Sequence, residues 1–316
     1  AVAGFVLASL VTCVAGLKLS SVPFRNVSPV KSRLTVRELL RFSMPVFASS
    51  MYGFVIGSAS QFFVSRYLGV EDFALFANGY RELPLAGMII GAAAGVLLPE
   101  FSRMSGEGAD GGQFVRLWQA AVLKSSAIIY PLSVFCCVFA PEIICLLYGE
   151  GYRAGLFRIV TVVNLARIMP YAPVLFALGR GKAFARAHLV TALLIVGLDL
   201  LCVMAFPSLW SIAAIATGCT LFCLFLLLMT TARVLGTSLA GLMPWRMLTT
   251  VLLVSAAACT AARLAVLLTG MTHRLAVVSV GFAVYLSLYQ PFAQRAGIRY
   301  MELFGPVLAK LRPNRT

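Results

Sequence analysis

Apolar runs long enough to cross a lipid bilayer follow one another along almost the whole sequence. A helix needs about 20 apolar residues to span the hydrocarbon core, because it rises about 1.5 Å per residue. Of the 316 residues, 60% are hydrophobic and only 12% are charged. A soluble domain typically carries about twice that charged fraction. The sequence therefore predicts an all-α integral membrane protein.

We predict nine transmembrane helices, separated mostly by short connections. The predicted spans are 1–17, 42–65, 73–99, 116–140, 155–178, 186–206, 210–231, 247–269 and 275–293. Two connections, 18–41 and 103–116, are longer and polar. The sequence opens inside an apolar segment without Met, and this segment lacks the basic region and cleavage site of a signal peptide. We therefore expect further sequence to precede Ala1.

Positive charge is concentrated on alternate connections. If 18–41 is cytoplasmic and the spans alternate, 18 of the 26 Lys and Arg residues fall in cytoplasmic segments and three at the outer side. Membrane proteins gather Lys and Arg in their cytoplasmic loops. The net charge of +15 is therefore explained by topology, and it does not call for a nucleic-acid partner.

Prolines and small residues give two predictions about the helices. We expect interruptions at Pro45, Pro84, Pro131, Pro170 and Pro173. Interrupted spans are common in transporters at gating or binding regions, although kinks also occur in purely structural bundles. Small residues recur every four positions at Gly87, Gly91 and Gly95, and again at Ser49, Gly53 and Gly57. Such ladders let helix backbones approach closely in lipid, so we expect tight packing of the second and third spans.

Ionisable residues inside the spans are candidates for a functional site, because they are costly to insert. We predict a substrate-binding set made of Arg167, Lys124, Arg81, Glu82, Arg158 and Asp199. The spans hold five basic and two acidic residues, so a cavity among them suits an anionic substrate. The planar guanidinium of arginine pairs well with phosphate oxygens.

Structural alternatives exist for some of these residues. Arg81 with Glu82, or an arginine with Asp199, would form a structural ion pair. Arg158 lies nearer the outer surface, where its side chain can reach the headgroups. It also falls on the opposite face of a straight helix from Arg167. Lys124 and Arg167 have no acidic residue at a matching depth in the predicted spans, which makes them the strongest candidates.

The sequence carries no motif of a soluble enzyme. It has no Walker loop, no dinucleotide-binding glycine pattern and no nucleophile elbow. Its eight cysteines and two histidines do not show the spacing of a metal site. We expect no catalytic residue, no metal and no cofactor.

A series of short motifs follows in a fixed order. They are Phe42-Ser-Met-Pro45, Ser65-Arg-Tyr-Leu-Gly69, Glu82-Leu-Pro84, Leu97-Leu-Pro-Glu-Phe-Ser-Arg103, Leu147-Tyr-Gly-Glu-Gly-Tyr152 and Ala177-Leu-Gly-Arg-Gly-Lys182. This order resembles the bacterial oligosaccharide and polysaccharide flippases, the Wzx-like proteins of the multidrug/oligosaccharidyl-lipid/polysaccharide superfamily. The lipid II flippases are relatives in the same superfamily.

The resemblance implies a fold of fourteen helices in two lobes, of which this chain holds helices six to fourteen. The implied division is 1–17 for the last helix of the first lobe, 18–41 for a cytoplasmic linker, 42–231 for the second lobe, 232–293 for two additional helices and 294–316 for a cytoplasmic tail. It also implies alternating access in the bacterial inner membrane. The implied substrate is a lipid-linked glycan, and the implied partners are membrane lipids and glycan polymerases or cell-wall synthesis proteins.

Three alternatives stay open. Lipid II flippases carry an arginine a few residues before Glu-Leu-Pro, whereas here Arg81 is adjacent to Glu82, so we prefer the broader class of oligosaccharide flippases. A multidrug or cation antiporter shares the fold and needs a site rich in carboxylates. A membrane scaffold without transport activity is the third.

Overall fold

The computed structural model describes residues 2–22 and 35–295, and these residues form helices and no strand. The helices are α1 (Val2–Ser21), α2 (Val36–Phe63), α3 (Val70–Gly79), α4 (Pro84–Gly106), α5 (Gly111–Val138), α6 (Ala140–Tyr148), α7 (Ala154–Arg167), α8 (Tyr171–Ala177), α9 (Gly181–Ala205), α10 (Leu209–Val234), α11 (Leu239–Leu242), α12 (Trp245–Leu268) and α13 (Arg274–Arg295). A π-helical turn, Val64–Leu68, continues α2. The chain divides into two compact units, Ala1–Arg41 and Phe42–Thr316.

Eight segments among the described residues are long and apolar enough to cross a membrane. They are Val36–Leu68, Leu85–Gly106, Gly111–Val138, Ala154–Ala177, Gly181–Ala205, Leu209–Val234, Trp245–Leu268 and Arg274–Arg295. The all-α membrane fold is confirmed, and these segments correspond to eight of the nine predicted spans. The ninth is α1, whose apolar part, Val6–Ser20, is shorter. Much of the predicted linker and almost all of the predicted tail lie outside the described residues, at 23–34 and 296–316.

The core of the second unit is built around α5, which packs against α7, α12 and α4. Trp118 and Ile129 on this helix are fully buried. Near its end, the ring of Phe135 stacks on that of Phe139 with centroids 4.7 Å apart, and on Tyr285 of α13 with centroids 5.7 Å apart. Aromatic pairs at these distances add to the stabilisation that comes from burying their surface. They fix α13 against the bundle.

Among the described residues, the predicted glycine ladder on α4 contacts no other helix, so the predicted packing through it was wrong for this part of the chain. A Cβ atom added at Gly87, Gly91 or Gly95 would meet no atom within 4 Å in the described structure. The second ladder is only partly packed. Ser49 is buried, a Cβ at Gly53 would lie 3.9 Å from His188, and a Cβ at Gly57 would meet nothing within 4 Å.

Among the described residues, two glycines outside these ladders lie against aromatic rings. A Cβ atom at Gly281 would lie 2.6 Å from the ring of Phe139, and one at Gly155 would lie 2.5 Å from the ring of Trp210. Each glycine faces a large aromatic side chain rather than another small residue. Spacing within one helix therefore could not reveal these contacts, because the partner ring decides them.

Two of the predicted proline interruptions are real. The third predicted span is broken at residues 80–83, and Pro84 then occupies the first turn of α4. Leu83 is extended, with φ −67° and ψ 113°, as a residue that precedes proline prefers. The fifth span is broken at residues 168–170, after which α8 begins. The predictions at Pro45, Pro131 and Pro173 were wrong, because α2, α5 and α8 run through them as continuous helices.

The polar connection predicted at 103–116 is mostly helical. Arg103 bonds Glu100 and Glu107, each at 2.7 Å, which holds the charged end of α4 in helical form. The side chain of Asp110 then accepts a 2.7 Å hydrogen bond from the backbone of Gln113 and caps α5. The true connection is therefore only residues 107–110. The apolar pattern did not predict these helix ends, because most of their side chains are polar.

Candidate functional site

The two broken helices lie side by side. The first is interrupted between α3 and α4 and the second between α7 and α8; α3 packs on α7 and α4 packs on α8. Unwound backbone inside a membrane protein must be buried in protein or line a water-filled cavity, because lipid cannot satisfy its polar groups. The first break falls inside the predicted span 73–99, and the second falls inside the predicted span 155–178.

An ion pair joins the two breaks. Glu82 lies in the unwound segment after α3, and Arg167 is the last residue of α7. Nη1 of Arg167 donates a short hydrogen bond to Oε2 of Glu82. The expectation that Arg167 lacks an acidic partner was therefore wrong. The two residues are 85 positions apart, and only the packing of the two breaks brings them together.

A cavity of about 460 Å³ opens at this pair. Its lining comes from α2, α3, the first break, α7 and α10, and consists of Gly53, Ile56, Gly57, Ser60, Gln61, Phe76, Ala77, Asn78, Tyr80, Arg81, Glu82, Arg167, Ala216 and Thr220. Arg81 is exposed and forms no ion pair with any described residue. Because Glu82 offsets only one of the two arginines, the wall of the cavity keeps one net positive charge.

A second cavity of about 310 Å³ adjoins the first. Gly53, Ile56, Arg167 and Thr220 line both. The second cavity continues past the break before α8 toward His188. Arg167 therefore stands where the two spaces meet.

An apolar groove of about 370 Å³ borders the second cavity on the side of α12. Met169, Tyr171 and Leu224 line both spaces. Most of the remaining lining of the groove is aliphatic or aromatic, and it includes Trp245 and Leu248 at the start of α12. The polar cavity thus leads, across the break in the α7–α8 helix, to a surface that is almost wholly apolar.

Asp199 lies behind the wall of the first cavity. Its side chain is fully buried, and Oδ2 accepts a 2.7 Å hydrogen bond from the hydroxyl of Ser60, which does line the cavity. Oδ1 has no hydrogen-bond partner among the described residues. The predicted residue is thus close to the site but reaches it only through Ser60.

Lys124 and Arg158 lie elsewhere. Lys124 is exposed on α5 and does not line either cavity. Arg158 is also exposed, and its Nε donates a 3.0 Å hydrogen bond to the carbonyl of Cys137. The structure therefore brings together Arg81, Glu82 and Arg167, with Asp199 behind them.

Several polar residues of the cavity were not predicted. The hydroxyls of Tyr80 and Thr217 lie 2.9 Å apart, and Nδ2 of Asn78 donates a 3.1 Å hydrogen bond to the hydroxyl of Tyr152. Uncharged polar side chains are frequent in membrane helices, where they also bond neighbouring helices. Tyr80 and Asn78 lie close to the break before Pro84, so they could be predicted as cavity residues only after that break had been located.

Comparison with known proteins gives one match. Residues 1–155 match the model of a family described as "Polysaccharide biosynthesis protein". This chain is similar to that family over just under half of its length. The match includes Arg81 and Glu82 and ends before Arg167. No curated protein and no solved structure matches the chain.

The match supports the resemblance found in the motifs at the level of a polysaccharide-biosynthesis family. Together with the eight apolar helices, it indicates a multi-pass membrane protein that is similar to a polysaccharide-biosynthesis family over its first 155 residues. It does not distinguish the Wzx-like proteins from the lipid II flippases.

Proposed function

We propose that the protein moves a polyprenyl pyrophosphate-linked oligosaccharide, or a peptidoglycan precursor, across the bacterial inner membrane by alternating access. One observation carries the proposal: a cavity with a net positive wall lies at the junction of two broken membrane helices. Discontinuous helices form substrate sites in many transporters. The family match to polysaccharide biosynthesis supports the same class of substrate.

The charges of the cavity favour an anionic headgroup. Arg81 and Arg167 face the cavity with a single carboxylate, Glu82, between them. A pyrophosphate offers several oxygens to the planar fork of a guanidinium, and such bonds are strong because both partners are charged. The neutral polar side chains of the lining, such as Gln61 and Asn78, are suited to bind sugar hydroxyls.

The apolar groove favours a substrate that carries a lipid. A flippase must move a polar head while the tail stays in hydrocarbon, so the headgroup cavity needs an apolar exit. The groove beside Met169 and Tyr171 meets the cavity at that point. A soluble sugar or a small drug would need no such continuity.

A multidrug or cation antiporter is the second candidate, and Asp199 is the observation that favours it. A buried carboxylate with one unpartnered oxygen is a suitable group for binding a proton or a cation. Against this candidate, the charged residues that line the cavity are two arginines and one glutamate. An organic cation would meet net repulsion there.

Complementation of cells that lack their own transporter separates these candidates. The full-length protein is expected to restore export of a lipid-linked glycan to the cell surface. Arg167→Gln is expected to abolish that export at normal membrane abundance, whereas Arg103→Gln, which removes a surface arginine with two acidic partners, should retain it. Restored drug tolerance without glycan export would instead support the antiporter. Rescue of peptidoglycan synthesis alone would narrow the substrate to lipid II.

A further inference from the structure

We propose that Glu82 is an internal counter-ion, which occupies Arg167 in the empty cavity and is displaced by the pyrophosphate of the substrate. This inference rests on the proposed function and adds a specificity-determining residue to it. Glu82 then determines which anions bind, because only a ligand that outcompetes a carboxylate gains access to Arg167.

The geometry of the pair suits exchange. Among the described residues, the single bond from Nη1 to Oε2 is the only hydrogen bond of either side chain. A guanidinium has five N–H donors, so most of the binding capacity of Arg167 is unused. A pyrophosphate can take two donors at once and carries more charge than one carboxylate, and both features favour the exchange.

The exposure of the pair points the same way. The side chains of Arg167 and Glu82 are 35% and 42% exposed, and both line the first cavity. Ion pairs with that exposure contribute little to stability. The pair is therefore accessible to a ligand, and breaking it does not leave a buried charge.

Arg81, the other arginine of the cavity, differs from Arg167 in having no counter-ion in the described part of the chain. Arg81 also lines the cavity but has no carboxylate partner among the described residues. A weak anion can meet Arg81 without competition, whereas it must displace Glu82 to reach Arg167. Exchange would also remove the hydrogen bond that joins the two helix breaks.

The test measures binding of farnesyl pyrophosphate to the full-length protein in lipid nanodiscs, with farnesol as the probe that lacks the headgroup. Wild type is compared with Glu82→Gln and Arg167→Gln. The matched control is Glu100→Gln, because Glu100 also pairs with an arginine and its side chain is 43% exposed. Glu82→Asp is included because it keeps the charge, while its shorter side chain cannot keep the bond to Arg167.

Glu82→Gln is expected to bind farnesyl pyrophosphate roughly tenfold more tightly than wild type, because the competing charge is gone. Glu82→Asp should fall between the two. Arg167→Gln should bind roughly tenfold more weakly. Glu100→Gln should match wild type, and farnesol binding should not change in any variant.

If Glu82→Gln binds farnesyl pyrophosphate no more tightly than wild type, the inference is overturned and the proposed function stays in place. If Glu82→Gln does not assemble, weaker binding by Glu82→Asp than by wild type has the same meaning. A wild-type protein that binds farnesol as well as farnesyl pyrophosphate would overturn the proposed function and the inference together.

Discussion

The charged side chains inside the membrane-spanning segments differ in what they contact. Arg167 and Glu82 hold each other at the cavity, Arg263 bonds Glu142 at 2.7 Å, and Arg158 bonds a backbone carbonyl. Asp199 is the most deeply buried of them and depends on one hydroxyl, that of Ser60. A buried carboxylate that loses its donor bears the cost of its own desolvation. The stability of the site therefore depends on the hydrogen bond from Ser60 to Asp199.

Replacing that hydroxyl should destabilise the protein. Ser60→Ala removes the donor to Asp199 and is expected to cost about 1–3 kcal/mol in the free energy of unfolding. The measurement is the melting temperature of the purified full-length protein. Ser58→Ala, on the same helix and only partly buried, is the control and should melt like wild type. Equal melting of both variants would mean that the bond to Asp199 contributes nothing measurable.

At the scale of helices, two contacts place an aromatic ring against a glycine. Gly281 of α13 admits the ring of Phe139, and Gly155 of α7 admits the ring of Trp210. The glycines spaced along α4 meet no described atom. A methyl group is therefore tolerated on α4 and is not tolerated at the two aromatic contacts.

Alanine substitutions should distinguish the glycines that contact aromatic rings from those that contact no described atom. Gly281→Ala and Gly155→Ala are each expected to lower stability by about 1–3 kcal/mol, the usual cost of overpacking. Gly91→Ala should leave the stability unchanged or raise it slightly, because alanine favours the helix by up to about 1 kcal/mol over glycine. Thermal unfolding of the three variants gives the comparison. A strong loss in Gly91→Ala alone would restore the ladder interpretation.

At the scale of the whole molecule, sequence periodicity predicted the membrane spans because burial in lipid demands long apolar runs. The prolines located the breaks before Pro84 and Pro170, since proline restricts both its own backbone and that of the preceding residue. The sequence could not show that Arg167 pairs with Glu82, because the depth of a residue along its helix does not show which helices are neighbours. Lys124 was chosen by depth alone, and it lies on an exposed face of α5.

The orientation of the bundle stays a prediction from the distribution of positive charge. Gly151 follows the short helix α6 and precedes the predicted span 155–178, and Lys182 lies beyond the other end of that span, at the start of α9. Gly151→Cys should react with an impermeant maleimide from outside intact cells, and Lys182→Cys only after permeabilisation. The reverse pattern would invert the topology and move the predicted linker to the outer side.

The central claim is that the cavity between the two breaks carries a pyrophosphate-linked headgroup across the membrane. The most direct measurement is transfer of a polyprenyl pyrophosphate-linked disaccharide between leaflets of proteoliposomes that contain the full-length protein. Wild type and Arg103→Gln should transfer it at the same rate, while Arg81→Gln and Arg167→Gln should be slower by roughly tenfold or more, since each removes a charged contact with phosphate. Transfer by Arg167→Gln at the wild-type rate, or no transfer by wild type, would contradict the account.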